Sequence, residues 1–355
     1  MGKRITLMAT TQRQLGVALI GAGYWGKNLI RNFRDHDNFK LQYIVDQPNH
    51  NFQTRGGETL TSDLNAILID DKVDVVAIAT PPDTHESIAL EAIHAGKHIL
   101  IEKPLATSVA GGKRLVDAAS AANVTFMCDH TYCYSPAVEY IKKVIEQGEL
   151  GEIIFIDSTR INLGLIQTKA DVLWDLAPHD ISIIDFILPG SASPIAVSAV
   201  GSDPLGIGVN CVSHVNLYLQ KETIAHIHVN WLSPTKVRQF VIGGTKKMIV
   251  WDDLNPNQRI SVYDKGVSLS HATETPEELR KTSIAYRTGG LESPALPEVE
   301  ALKLVLDELY ESIIYNRPPR TDGRSGLRVL QLLELATMSS MNGGQKIILD
   351  QSHDS

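Results

Sequence analysis

Apolar residues recur in two rhythms along the first third of the chain. From Leu15 it reads LGVALIGAGYWGKNLIRNF: a short apolar run, a glycine-rich turn, then apolar positions spaced as on one helix face. Further apolar runs follow at LQYIVD (Leu41 to Asp46), VDVVAIAT (from Val73 up to Pro81-Pro82), HILIEKP (from His98) and VTFMCD (from Val124). Helical stretches lie between them, HESIALEAIHAG and a segment from near Thr107 to about Ala122. Strands alternating with helices predict βαβ units and a parallel sheet covered on both faces, with Ile78 and Ile99 in its core. This pattern places one domain at residues 14–128, after an extension at 1–13.

The rhythm changes after Ser135-Pro136. One amphipathic helix, AVEYIKKVIEQG, ends at Gly148. IIFIDSTRINLG, PIAVSAVGS, NCVSHVNLYL, ETIAHIHVNWL, VRQFVIGG and KKMIVWDD then follow, with one helix, WDLAPHDISIIDFIL, among them. Strands without crossover helices predict a largely antiparallel sheet with one open face. On this reading Val215, Leu217 and Leu219 line the open face and are covered by another subunit of a homodimer or homotetramer. His226, His228 and Trp231 are placed on the sheet surface or an interface. Residues 264–298, rich in Ser, Thr, Glu and Pro, read as a loop, and helices near 298–315 and 324–341 close a second domain spanning 129–355.

Within the first domain, GAGYWG (Gly21, Gly23, Tyr24, Trp25 and Gly26) matches the G-x-G-x-x-G turn between a strand and a helix. Gly21 allows the tight turn, Gly23 the approach of a pyrophosphate, and Gly26 close packing of helix on strand. Asp46 ends the next strand, where a carboxylate binds ribose hydroxyls and repels a 2′-phosphate. Gln47, Pro48 and Asn49 follow it without a basic residue, so NAD(H) is expected over NADP(H); Arg55 is the nearest residue for the contrary reading. The fold class expected is α/β, an N-terminal Rossmann domain followed by an α/β domain with an open-faced sheet.

Bulk properties narrow the partners. A net charge of -8 argues against a nucleic-acid surface, and no apolar run reaches the roughly 20 residues that span a bilayer. Three cysteines, none in a C-x-x-C pair, argue against structural zinc and for a reducing compartment. The polar start lacks a secretory core, so a cytoplasmic location is expected and no metal is.

Ligands in open α/β sheets bind at the carboxyl ends of strands, which directs Lys103 of ILIEKPLA into the nucleotide crevice, beside Thr80, Pro81, His85 and Glu102. GAGYWG, TPPDTH (Thr80 to His85), AGKHILIEKPLA (Ala95 to Ala106), GELGEI (Gly148 to Ile153), WDLAPHDISIID (Trp174 to Asp185) and NRPPRTDGRSGLRVLQLLE (Asn316 to Glu334) together resemble the glucose–fructose oxidoreductase, inositol dehydrogenase and rhizopine-catabolism family. The resemblance implies a Rossmann domain joined to an open-faced α/β domain, NAD chemistry on sugars, Lys103 as the family's lysine, and Asp175 and His179 as its D-x-x-x-H pair. A spacing of four puts Asp175 and His179 on one helix face. A neutral histidine can take a carbinol proton, and an ammonium can stabilise the oxygen's charge.

The chain departs from many relatives where an N-x-R-F-x-P-like stretch follows the Rossmann domain. It reads DHTYCYSP (Asp129 to Pro136), with Thr131 at the place of an Asn; His130 and Tyr132 either line the pocket or pack. DSTRINLGLIQ with VLWDLAPHDISI looks most like a branch that oxidises sugars at the third carbon, often UDP-sugars, on the way to amino sugars. Ser158, Arg160 and Asn162 fall on one strand face, where Arg160 is either an anion anchor for substrate or half of a structural ion pair. Gln167 and Lys169 lie in the following loop, in reach of substrate. Two other readings keep the fold: an NAD-recycling glycoside hydrolase, and a ligand-sensing regulator. Intact Lys103, Asp175 and His179 argue against the regulator.

Overall fold

Six short parallel strands build the first sheet, and their burial explains their composition. In the computed structural model, which describes residues 13–47, 54–55, 57–168, 170–188, 190, 193–270 and 283–349, β1 (Leu15–Ile20) and β4 (Val75–Ile78) are buried at every position. With β2 (Phe39–Val45), β3 (Thr59–Thr61), β5 (His98–Glu102) and β6 (Phe126–Asp129) they form a sheet ordered β3-β2-β1-β4-β5-β6. Every neighbouring pair is parallel. The helices α1 (Gly26–Asp35), α2 (Leu64–Leu68), α3 (His85–His94) and α4 (Val109–Ala122) make the crossovers. β3 has no hydrophobic signature because its Thr-Leu-Thr run is largely exposed. Pro48, Asn49, Lys169 and nearly all of the N-terminal extension lie outside the described residues.

The chain forms two compact units, and the first contains residues up to Leu105, Lys113–Asp129 and Leu302–Gly323. The chain thus returns late to its first unit. His36 Nε2 donates to Asp307 Oδ1 at 3.0 Å, its other ring nitrogen accepting from Asn38 N–H, and the rings of Phe39 and Tyr310 meet edge to face at 5.8 Å. Thr321 exchanges two hydrogen bonds with the Cys128 backbone, at 2.8 and 2.6 Å. These contacts hold α7 (Ala301–Ile314) to His36 and β2, and the segment after it to β6, so residues 129–355 are not one continuous unit. Helical periodicity marks the apolar face of α7 but not what covers it.

The second unit is built on a nine-stranded sheet. α5 (Pro136–Glu146) starts on the Ser135 hydroxyl, which accepts from Val138 N–H, with Pro136 at its first position. β7 (Ile153–Leu163), α6 (Val172–Ile187), β8 (Ala196–Ser202), β9 (Val212–Tyr218), β10 (Ile224–Asn230), β11 (Leu232–Gly244), β12 (Met248–Asp252), β13 (Ile260–Ser270) and β14 (Ser283–Glu292) follow. α8 (Gly323–Met341) and β15 (Ile347–Ile348) end the unit. The order is β14-β13-β12-β11-β7-β10-β9-β8-β15, antiparallel throughout except for β10 on β7.

Two expectations are corrected here. Val215, Leu217 and Leu219 are not on an open face: they are core, packed in one cluster with Ile141 of α5, Ile181 and Ile184 of α6, and Leu333 of α8. The outward positions of β9 and β10 are instead mostly polar, with His214, Asn216, Tyr218, His226 and His228 all half-buried and Val212 and Ile224 the apolar exceptions at the strand starts. Alternation shows that two faces differ, not which one the chain covers itself. The argument for a second subunit from those apolar residues therefore falls. Residues 264–298 are also not all loop, since β13 runs to Ser270 and pairs with β14. Every residue from Tyr286 to Glu292 is exposed, so this stretch of β14 has no buried face to write a period into its sequence. Among the described residues no helix is long and apolar enough to cross a membrane.

Candidate active site

The glycine-rich turn is shaped by its own backbone. Gly21 has φ +94°, and a Cβ there would stand 2.6 Å from the Ala79 carbonyl oxygen. A Cβ on Gly26 would collide with the Gly21 carbonyl oxygen, whereas one on Gly23 would meet nothing within 4 Å. Gly21 and Gly26 thus serve the chain's own packing, while Gly23 faces open space. α1 has no side-chain cap hydrogen bond and no acidic residue in its first turn, so no side chain of that turn neutralises its partial positive charge. The turn fits a dinucleotide pyrophosphate. Asp46 is fixed by two backbone donors, Ala22 N–H to Oδ2 at 2.8 Å and Gln47 N–H to Oδ1 at 2.7 Å. Arg55 is exposed, and its N–H donates to Glu58. The Tyr24 ring is 91% exposed, while the Trp25 indole turns inward and donates to Asp129 Oδ2 at 2.9 Å. That last bond had no sequence signal, because Trp25 and Asp129 are far apart in the chain.

Lys103 follows directly on β5 and is half-buried, between Glu102 and a buried Pro104. Thr80 sits at the end of β4, its hydroxyl accepting from Thr84 at 2.7 Å, and Pro81 is exposed. His85 is fully buried, with Nδ1 2.9 Å from the Pro104 carbonyl oxygen and Nε2 2.9 Å from that of Thr80. Burial pushes its pKa below the usual histidine value, against the two carbonyls that favour the charged form. His85 is therefore no direct cofactor contact. It ties the Thr80 turn to the residue after Lys103, a role the rim position alone does not distinguish.

In the second unit, the Asp171 carboxylate starts α6 by accepting from Trp174 N–H at 3.0 Å, and α6 carries Asp175 and His179 one turn apart. Asp175 Oδ2 accepts from the indole N–H of Trp231 at 3.1 Å. Trp231 is only 1% exposed, so its expected place on a sheet surface is wrong. It follows the alternating run of β10, and its indole turns into the core to reach a carboxylate. The His179 ring meets Tyr132 edge to face at 5.1 Å.

Arg160 is the other correction. Its guanidinium reaches Asp180 through Nε and Nη2, both at 2.9 Å, with side-chain exposures of 5% and 2%. Ser158 Oγ donates to the same carboxylate at 2.8 Å, and Arg160 lies over the Tyr132 ring at 4.4 Å. Burial works against the charge, but the Asp180 carboxylate outweighs it and holds the Arg160 pKa above its ordinary value. Arg160 is half of a buried ion pair, not a substrate anchor. Asp180, an acid in an apolar helix, was the available signal for that pairing. Tyr132 packs between this pair and His179, His130 is buried, Asn162 is half-buried and Gln167 is exposed. Among the described residues no group of three or more His, Cys, Asp or Glu could hold a metal ion.

Comparison with known proteins agrees with this architecture. Residues 15–130 match the model of an oxidoreductase family with an NAD-binding Rossmann fold, and residues 138–250 match the GFO/IDH/MocA C-terminal domain. The chain belongs to the GFO/IDH/MocA oxidoreductase family, and its first unit carries that family's NAD-binding Rossmann domain. The levoglucosan dehydrogenase of Pseudarthrobacter phenanthrenivorans is 34% identical over 46% of this chain and 45% of its own length. The UDP-N-acetylglucosamine 3-dehydrogenase of Acidithiobacillus ferrooxidans is 24% identical over 73% of this chain and 76% of its own. The chain spans about half the length of several curated relatives it matches, 52%, 40% and 45% in three of them. The crystal structure of GenD2 from gentamicin A biosynthesis, in complex with NAD, superposes with TM-score 0.77 at 22% identity, covering 95% of this chain and 97% of that one, which shows the shared fold.

Proposed function

We propose that this chain is an NAD-dependent oxidoreductase acting on a sugar carbinol or ketone, at the third carbon of a nucleotide-linked hexose, in the cytoplasm. The observation that carries the reading is the placement of Asp175 and His179 one turn apart on α6, with Asp175 held by a buried donor. The resemblance to a UDP-N-acetylglucosamine 3-dehydrogenase supports the substrate class. Bound NAD supplies the two-electron acceptor for the carbon-bound hydrogen. His179 takes the proton of the reacting hydroxyl, because imidazole is neutral near pH 7 where an ordinary lysine is not. The Lys103 ammonium stabilises the charge that develops on the same oxygen. Asp175 accepts from a neighbouring hydroxyl and fixes the ring. Incubating the protein with NAD and free, phosphorylated and UDP-linked hexoses tests this. The expected outcome is NADH with a ketone at the third carbon by NMR; release of free sugar without net NADH would place the chain in a hydrolytic class instead.

Asp46 sets the cofactor preference on this reading. NAD(H) is expected to bind at least about tenfold tighter than NADP(H), about 1.4 kcal/mol. Asp46→Ala narrows the gap chiefly by weakening NAD, since the carboxylate serves the ribose hydroxyls. Fluorescence titration with both cofactors measures it, and equal affinities in the unaltered protein would refute the assignment.

A further inference from the structure

We infer that Trp231 is a positioning residue for substrate recognition: its indole N–H, buried beneath α6, fixes the Asp175 carboxylate for a sugar hydroxyl. The inference rests on the role proposed above for Asp175 and adds a residue that lies outside the six sequence segments shared with the family.

The indole is anchored from several sides. Its backbone N–H donates to the Cys211 carbonyl and its own carbonyl accepts from Gly164 N–H, both at 3.0 Å. A Cβ on Gly164 would stand 3.2 Å from indole Cδ1 and 2.7 Å from Asn162 Nδ2, so the Gly164 backbone lies close against both side chains. With 1% exposure, the ring belongs to the core cluster that holds α6 on the sheet. Nε1 is the ring's one polar atom, and it points to Asp175 Oδ2 at 3.1 Å. A large apolar body placed in the core with its donor on a carboxylate fixes that carboxylate's rotamer at little entropic cost. Without this bond, more of the ordering of Asp175 falls to the substrate.

The hydroxyl held by Asp175 does not react, so the contact is equally strong in the bound substrate and in the transition state. Its loss therefore appears in KM more than in kcat. Trp231→Phe keeps an aromatic ring in the core, smaller than the indole, and removes the donor. It is expected to raise KM for the sugar about ten- to hundredfold, the range of one hydrogen bond to a charged group. kcat is expected to change less than KM, and the Kd for NAD not at all. In an Asp175→Asn background the same change should add little. A purely structural tryptophan would give effects that add in the double variant and change kcat and KM without preference.

A second readout needs no substrate. The chain has 4 tryptophans, so the Trp231 indole N–H resonance is assigned by its loss in Trp231→Phe, or from spectra of the other three variants if that one does not fold. This resonance is expected to shift in Asp175→Asn and to be slow in hydrogen exchange. An unshifted signal, or additive kinetic effects, overturns the inference while leaving Asp175 in its role. Asp175→Asn with unchanged KM and kcat overturns the proposed site itself, and the role of Trp231 with it.

Discussion

Replacing His179 or Lys103 by alanine lowers turnover by about two orders of magnitude or more in each case, the usual contribution of a positioned proton-transfer group. A carbinol carbon loses its hydrogen with its electron pair readily only if the hydroxyl proton leaves and the oxygen charge is met by a cation. His179 and Lys103 divide those two tasks on the proposed reading. The variants should differ elsewhere. His179→Ala leaves NAD affinity near normal, because on the proposed reading His179 serves the sugar hydroxyl and the glycine-rich turn and Asp46 hold the nucleotide. Steady-state rates with an identified sugar, together with NAD titration, measure both effects. Near-normal turnover in both variants would remove these two residues from the chemistry.

Loss of the Arg160–Asp180 pair has the largest expected effect on stability. Asp180→Asn leaves a guanidinium of 5% side-chain exposure without its countercharge and weakens the acceptor for Ser158 Oγ. Removing one partner of a buried pair costs about 3–5 kcal/mol, which is large against the stability of any domain. Replacing both partners by apolar residues, Arg160→Met with Asp180→Leu, should recover most of the loss, because no unpaired charge is then buried. Denaturant unfolding followed through the tryptophans of the second unit measures the difference. A loss below about 1 kcal/mol for Asp180→Asn would mean that solvent reaches the pair, as in an exposed ion pair.

How much of this was legible in the sequence depends on whether a feature is local. The parallel sheet could be read because β1, β4 and β5 are short apolar runs punctuated by Gly21, Pro81 and Pro104. Their alternation with helices admits few topologies. The strand–turn–helix at Gly21 and the spacing of Asp175 and His179 are likewise written in adjacent residues. What escaped depends on distant partners. The fate of Arg160 is decided by Asp180 on another element, and that of Trp231 by Asp175, 56 positions away. The covered face of β9 is decided by helices from both ends of the second unit. β14 escaped for a different reason: exposed along Tyr286 to Glu292, it has no two-sided environment to impress on its residues.

The central claim is that this chain moves a hydrogen with its electron pair between a sugar carbon and nicotinamide. Incubating the protein with NAD and UDP-linked hexoses deuterated at the third carbon tests it most directly, with mass and NMR analysis of both products. The account predicts reduced nicotinamide that carries the deuterium, together with a ketone at the third carbon of the sugar. Deuterium retained on a chemically altered sugar, or no reduced nicotinamide from any hexose while NAD is bound, would contradict it.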